Sequence, residues 1–276
     1  MKILVTGANG LLGKELVNVF SKKNEVYGLG KRGLDISVKK EVDGVFSKIK
    51  PDLVINTAAY TNVDGAEEER IEAIETNAFG PLFIAEACEE IGAKLIQIST
   101  DYVFKGDLNG YDENYDDFKP INCYGFTKSI GEKNAREHTE KCYIVRTSAI
   151  FGMGGKNLFS KAHYLAKENK IMRVVDDQRR NPTYVKDIAQ MLPELLNREY
   201  GVYHITNSGS CTPAEFVEEL VRQEELENEV IRITSEEINS KAKRPVNSSL
   251  INTKLSPLRN WQEALREYLA EVKITN

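Results

Sequence analysis

The 276-residue chain contains no long hydrophobic run. Its opening apolar stretch, Met1-Lys2-Ile3-Leu4-Val5, stops at Thr6-Gly7, too short for a signal peptide or a membrane span, so a cytoplasmic protein that does not enter a membrane is expected. Cysteine is scarce and badly spaced for pairing. Cys88, Cys123, Cys142 and Cys211 form no C-x-x-C, and His138, His163 and His204 are scattered, which argues against a disulfide framework and against a His/Cys metal site; no bound metal is expected. An excess of positive charge is also missing: 37 basic and 42 acidic residues are interspersed for a formal charge of −5. That balance speaks against a nucleic-acid surface or a polybasic membrane contact. There is no internal repeat and no low-complexity segment. What remains is the composition of a soluble enzyme, long enough for one large α/β domain or for such a domain with a smaller lobe.

Short β-rich runs alternate with helical stretches. Lys2–Thr6, Glu25–Leu29, Asp52–Asn56, Lys94–Ser99 and Tyr143–Thr147 read as strands buried on both faces; Leu11–Lys23, Val38–Lys50, Ala66–Ile91 and Tyr124–His138 read as helices with apolar residues at 3.6-like spacing. Such alternation implies right-handed crossovers and a doubly wound parallel sheet, the Rossmann type of α/β fold. The alternation weakens beyond about Gly152. Residues 1–151 are therefore expected to form the dinucleotide-binding domain and 152–276 mainly a substrate lobe, with some later segments returning to the sheet. The second half reads as helices near Asn157–Glu168, Lys186–Leu196, Pro213–Gln223 and Trp261–Glu271, with strands near Arg173–Val175 and Val202–Thr206.

Thr6-Gly7-Ala8-Asn9-Gly10-Leu11-Leu12-Gly13 follows the first strand directly and opens a helix. Gly7 permits a tight turn, Gly10 lets backbone approach a pyrophosphate, and Gly13 lets the helix pack closely; the phosphates would meet free N–H groups at the helix N-terminus. The spacing is G-x-x-G-x-x-G rather than G-x-G-x-x-G. After the second strand the chain offers Lys31-Arg32 and no acid, which favours the 2′-phosphate of NADPH, NADH being the alternative and solvated surface charge the plainer reading of the two cations. Asp35 either hydrogen-bonds the adenine or caps the helix at Val38. Asn77 sits inside a helical stretch with low propensity, able to bind nearby backbone with its amide.

Tyr124 and Lys128 lie one helical turn apart on one face, and Thr100 ends the strand before them. A fixed ammonium beside a phenol lowers its pKa, and a hydroxyl aimed at the same oxygen adds a second hydrogen bond, an arrangement suited to reducing a carbonyl.

These segments, together with Asn56-x-Ala-Ala-Tyr-Thr-x-Val-Asp64, Ser99-Thr-Asp-Tyr-Val-Phe104, Arg146-Thr-Ser148, Asp177-Gln178 before Pro182-Thr183, and Arg244-Pro-x-x-Ser-x-Leu250, resemble the extended short-chain dehydrogenases/reductases. Within them the chain is similar, over nearly its whole length, to the dTDP-4-dehydrorhamnose reductase family. The resemblance implies a catalytic set of Thr100, Tyr124 and Lys128. It implies a cofactor site of Gly7, Asn9, Gly10, Leu11, Leu12, Lys31, Arg32, Asp35, Ile36, Ala58, Ala59, Tyr60, Thr61, Ile98 and Ser99, with Tyr124 and Lys128. Val63, Thr100, Asp101, Ala149, Asn157, Gln178 and Arg244 would face a nucleotide-sugar substrate. The implied reaction is NADPH-dependent reduction of the C4 keto group of a nucleotide-linked 4-keto-6-deoxyhexose for cell-surface polysaccharide synthesis, in a protein that some relatives suggest is a homodimer.

Two departures fall on the substrate side. Ala149 stands where the family usually has Trp, and Arg179-Arg180 replace small residues before Pro182. Loss of an indole opens volume and removes a stacking surface, so a bulkier sugar such as a UDP-linked N-acetylated one is an alternative substrate. The two guanidinium groups either bind the substrate diphosphate or are surface charge. The scaffold also admits an epimerase, a non-catalytic NADP-binding regulatory subunit, or a sugar-nucleotide binder; the intact Tyr124 and Lys128 favour chemistry.

Overall fold

The computed structural model describes residues 1–275. The chain opens with β1 (Lys2–Thr6), whose Ile3, Leu4 and Val5 have no solvent exposure, as a central parallel strand covered on both faces requires. Helix α1 (Leu11–Ser21) buries Leu12, Leu16 and Phe20, spaced by four, and β2 (Glu25–Leu29) follows. Unlike the expectation of two covered faces, β2 is half exposed, because it forms the edge of the sheet with β1 as its neighbour there. Next come α2 (Lys39–Ile49) and β3 (Leu53–Asn56).

The stretch expected as one helix over Ala66–Ile91 is broken. It runs as a 3-10 turn at Gly65–Glu67, α3 (Arg70–Ile74), a π-helical turn at Glu75–Phe79, and α4 (Gly80–Ile91). Pro81 has no N–H to give the Asn77 carbonyl, and that carbonyl is instead approached by Gly131, where a Cβ would stand 2.1 Å away.

Then follow β4 (Lys94–Thr100), α5 (Cys123–His138), β5 (Cys142–Thr147), β6 (Ile150–Phe151), α6 (Leu158–Glu168), β7 (Ile171–Val175), β8 (Thr183–Tyr184), α7 (Val185–Leu195), β9 (Gly201–His204), α8 (Pro213–Gln223), β10 (Glu229–Ile233) and α9 (Trp261–Thr275). The main sheet has the order β2-β1-β3-β4-β5-β9, every pairing parallel. One apolar layer lies under α2, α4 and α5. The other joins α1 and α7 to α6, α8 and α9 in a single cluster running from Ile3 to Val272. The chain order reverses between β1 and β3, which places a crevice at their carboxyl ends, the usual ligand position in open α/β sheets. Two two-stranded sheets, β6 with β8 and β7 with β10, carry the segments beside that end.

Candidate active site

The glycine turn occupies the crevice. Gly7 has φ +66°, and a Cβ there would lie 2.6 Å from the Ala58 nitrogen on the loop after β3; one at Gly13 would lie 2.4 Å from the Gly7 carbonyl oxygen. Any side chain at these positions would force the turn, α1 and β3 apart. Gly10 is the N-cap of α1, is exposed, and supplies no capping side chain, so the first N–H groups of the helix face outward. Leu11 is half-buried and Leu12 is in the core, while the Asn9 amide packs against Gly30 at the end of β2. This cradle fits a dinucleotide phosphate: it is lined by small residues and by free N–H groups, with no acid in the turn.

Below it, the sheet carries a buried polar ladder. Thr6 Oγ1 donates to Asn56 Oδ1 (2.5 Å), Asn56 Nδ2 to Gln97 Oε1 (2.7 Å), and Gln97 Nε2 to the Ile98 carbonyl (2.9 Å). Lys128 Nζ donates to that same carbonyl at 2.7 Å. Three strands and α5 are thereby tied at the point where the lysine is held. Gln97 was not singled out from sequence; a long polar residue inside an otherwise apolar strand was the available signal.

Asn77 reaches the neighbouring loop from the π turn. Its Oδ1 accepts the Tyr60 N–H (2.8 Å), and its Nδ2 donates to the Tyr60 carbonyl (3.0 Å) and to Thr127 Oγ1 on α5 (3.1 Å). The loop carrying half-buried Ala58, Ala59, Tyr60 and Val63 and exposed Thr61 is thus fixed to the helix that carries Tyr124 and Lys128. A π turn placed at such a site is a common device.

Thr100 ends β4, and α5 begins at Cys123 with Asn122 as its N-cap, the Asn122 Oδ1 accepting the Gly125 N–H at 2.8 Å. The Thr100 hydroxyl faces the Tyr124 phenol closely enough to ease the loss of its proton. Burial pushes the Tyr124 phenol above its ordinary pKa, with Thr100 opposing and Asp101 and Tyr102 reinforcing. The expected lowering by Lys128 is not among the causes, since the ammonium is turned to Ile98. The phenol is therefore protonated at neutral pH. Burial also pulls Lys128 down to about 8, with the Glu132 charge opposing.

Glu132 belongs to a closed set beneath the site. Its carboxylate holds Arg146 in a fork, Nε to Oε1 at 3.0 Å and Nη2 to Oε2 at 2.8 Å, and accepts the Ser99 hydroxyl. Ser99, expected at the cofactor, thus spends its side chain on Glu132. The Arg146 guanidinium also stacks on Phe118 and Phe104, at 4.8 and 5.1 Å.

The remaining expected residues separate into those at the site and those holding the walls. Asp101 is buried, paired with Thr100 Oγ1 (3.1 Å) and with the Ser248 hydroxyl, and burial raises its pKa. Gln178 is buried 3.3 Å from Arg180, and Arg180 lies 4.9 Å over the Tyr102 ring. Ala149 holds φ +42°, with its carbonyl accepting the Thr183 N–H at 3.2 Å. Arg244 forks onto Asp64 at 2.8 and 2.6 Å, a bridge that holds the Asp64 carboxyl down at about 2. Asn157 caps α6 through Ser160 N–H (3.0 Å) and gives its amide to the Ile150 carbonyl (2.8 Å), so both ends of its side chain are structural. Arg179 is spent on Glu215, 2.9 Å from both oxygens, and on the Ser210 carbonyl.

At the second strand, Lys31 donates to Glu72 (3.0 Å) and lies 4.0 Å from Asp35, whereas Arg32 is exposed with no ion pair among the described residues. Asp35 does not cap α2; its Oδ1 takes the Ser37 N–H (3.0 Å) and hydroxyl (2.6 Å) in a local turn beside buried Ile36. The acidic residues of α8 are paired: Glu218 with Arg232, and Glu219 with Arg222.

A glycine turn at the strand-order reversal, with Thr100, Tyr124 and Lys128 gathered beside it, defines an extended short-chain dehydrogenase/reductase. The RmlD substrate binding domain family matches residues 1–274, and the chain belongs to that family, which is that of the dTDP-4-dehydrorhamnose reductases. The spore coat polysaccharide biosynthesis protein SpsK of Bacillus subtilis is 38% identical over 98% of this chain and 97% of its own. A dTDP-4-dehydrorhamnose reductase of Aggregatibacter actinomycetemcomitans is 36% identical, covering 98% of each. Among solved structures, a dTDP-4-dehydrorhamnose reductase from Bacillus anthracis in complex with NADP matches with a TM-score of 0.94 at 38% identity, over 98% of this chain and 99% of that one.

Proposed function

We propose that this chain reduces the C4 keto group of a nucleotide-linked 4-keto-6-deoxyhexose, dTDP-4-dehydrorhamnose to dTDP-rhamnose, with NADPH, in the synthesis of a surface polysaccharide. The observation that carries the reading is the convergence of the Thr100 hydroxyl, the protonated Tyr124 phenol and the buried Lys128 ammonium beside the glycine turn. The names of the relatives, dTDP-4-dehydrorhamnose reductases among them, support the substrate class, and the NADP complex of one supports the cofactor. Gly7, Gly10 and the first turn of α1 would hold the cofactor pyrophosphate, and Arg32, with no ion pair among the described residues, would meet a 2′-phosphate.

When bound, the nicotinamide supplies the hydride to C4. The residues do the rest. Tyr124 donates its proton to the C4 oxygen as negative charge develops there, and Thr100 donates a hydrogen bond to the same oxygen. Lys128, one helical turn from Tyr124 and held by the Ile98 carbonyl, would bind the cofactor ribose, and its charge favours the phenolate only once it turns from Ile98 toward the phenol. Asp101, held by the Ser248 hydroxyl once the Thr100 hydroxyl turns from it to the substrate oxygen, positions a sugar hydroxyl.

A second reading is favoured by Ala149. The wall there lacks a large side chain, which suits a bulkier hexose such as a UDP-linked N-acetylated 4-keto-6-deoxyhexose. We assign the protein to the cytoplasm, with residues 152–276 acting mainly as the substrate lobe. The deciding experiment is NADPH oxidation followed at its absorbance band with dTDP-4-dehydrorhamnose and with the UDP-linked amino sugar. Turnover of the first at least tenfold faster is the expected result; no oxidation with either substrate removes the reductase reading.

A further inference from the structure

Among the guanidinium groups around the site, three are matched by carboxylates: Arg146 by Glu132, Arg179 by Glu215, and Arg244 by Asp64. Arg180 has no carboxylate at ion-pair distance among the described residues. Its Nη2 donates to the Tyr102 hydroxyl at 2.5 Å and meets Gln178 Oε1 at 3.3 Å, while its Nε is buried with no hydrogen-bond partner. The buried Asp101 carboxylate attracts Arg180 through space but makes its hydrogen bonds to Thr100 and Ser248 rather than to the guanidinium.

The side chain is delivered from a rigid wall. Paired backbone bonds join Arg180 and Cys211 across an isolated antiparallel bridge, at 3.1 and 2.9 Å, and fix the backbone from which the side chain projects. The guanidinium carbon lies 4.9 Å from the centre of the Tyr102 ring, and the Tyr102 ring meets the Tyr124 ring edge-on at 5.9 Å. One aromatic ring therefore separates a cation that has no salt bridge among the described residues from the phenol that donates the proton. A cation withdrawn from water with an unmet N–H is costly unless an anion completes it. The planar fork is suited to a phosphate oxygen pair.

We infer that Arg180 is a specificity-determining residue that receives the pyrophosphate of the substrate and thereby fixes which carbon of the hexose lies at Tyr124. The inference rests on the reading that the substrate is a nucleoside-diphosphate sugar. Its neighbour Arg179, committed to Glu215, takes no part. Ala149, whose carbonyl is bonded to Thr183 three residues beyond Arg180, leaves the adjoining wall open for the sugar.

The test is calorimetric titration of the full chain and its Arg180→Gln and Arg180→Lys variants with dTDP, UDP, dTMP, UMP and NADPH, beside steady-state kinetics on the 4-keto sugar nucleotide. Arg180→Gln is expected to bind the diphosphates about 10- to 100-fold more weakly, as loss of a charge-assisted hydrogen bond implies, with monophosphate and NADPH affinities unchanged. KM for the sugar nucleotide rises in parallel, KM for NADPH does not, and Arg180→Lys recovers part of the loss. An unchanged preference for diphosphate over monophosphate overturns the proposal. So does an equal loss for all five ligands, the mark of a purely structural role. If Arg180→Gln fails to fold, an undiminished diphosphate preference in Arg180→Lys is decisive against it. Where the unaltered chain neither binds a diphosphate nor turns over a 4-keto sugar, the reductase reading itself has failed; where it does both and the variants match it, only the role of Arg180 has.

Discussion

Lys128 gives the sharpest handle on the chemistry, because its charge is within reach of an ordinary pH titration. Burial pulls it down to about 8 from the ordinary 10.5, against the opposing charge of Glu132. It is a base whose pKa is lowered, so it is cationic below that value and neutral above it. Tyr124 is shifted the other way and keeps its proton throughout the same range. The rate of reduction should therefore be level through neutral pH and fall about tenfold per unit once pH passes about 8, reaching roughly one-tenth of the plateau near pH 9. The assay is initial-rate NADPH oxidation across pH 6 to about 10, with far-ultraviolet circular dichroism recorded at each point to exclude unfolding. Lys128→Arg supplies the control, since a guanidinium does not titrate in this range: that variant is expected to be slower but to lose the alkaline fall. A flat profile to about pH 10 in the unaltered chain, or an alkaline limb of the same position in Lys128→Arg, would refute the assignment of that limb to Lys128.

The other expected outcomes concern the phenol and the buried ion pair. Tyr124→Phe should lower kcat by on the order of 10²–10⁴, the contribution of a positioned general acid, with NADPH affinity nearly intact by fluorescence titration; near-normal turnover would remove Tyr124 from its role. Glu132→Ala strands Arg146, both side chains being 1% exposed, and should cost about 3–5 kcal/mol in urea unfolding, whereas a loss under about 1 kcal/mol would mean that Phe104 and Phe118 suffice to hold the guanidinium.

Much of the nucleotide-binding half was legible because its signals are local. Ile3-Leu4-Val5 is apolar without alternation, Gly7 to Gly13 lies between strand and helix, and the strand and helix boundaries there fall within a residue or two of expectation. The exceptions have identifiable causes. The apolar spacing over 66–91 persists through the π turn and so reads as one continuous helix; the low propensity of Asn77 does point to an amide that binds backbone, here that of Tyr60, but nothing local reveals that Gly131 will fill the gap at its carbonyl. Strand β10 was missed because Glu229, Ile231 and Arg232 are exposed and carry no alternation. At the site, the sequence could number Ser99, Asn157 and Arg244 among binding residues but could not show that their side chains go to Glu132, to the α6 N-terminus and to Asp64.

The sequence by itself determined the parallel sheet, the glycine turn and the one-turn spacing of Tyr124 and Lys128, because each depends on residues a few positions apart or on a pattern that any doubly wound fold must satisfy. Tertiary structure alone decided the electrostatics. That Tyr124 is raised rather than lowered, that Lys128 is drawn to the Ile98 carbonyl, and that Arg179 is matched while Arg180 is not all follow from partners up to dozens of residues away in the chain. The strength of a charge interaction depends on burial and on distance through space, and neither quantity is written in the order of residues.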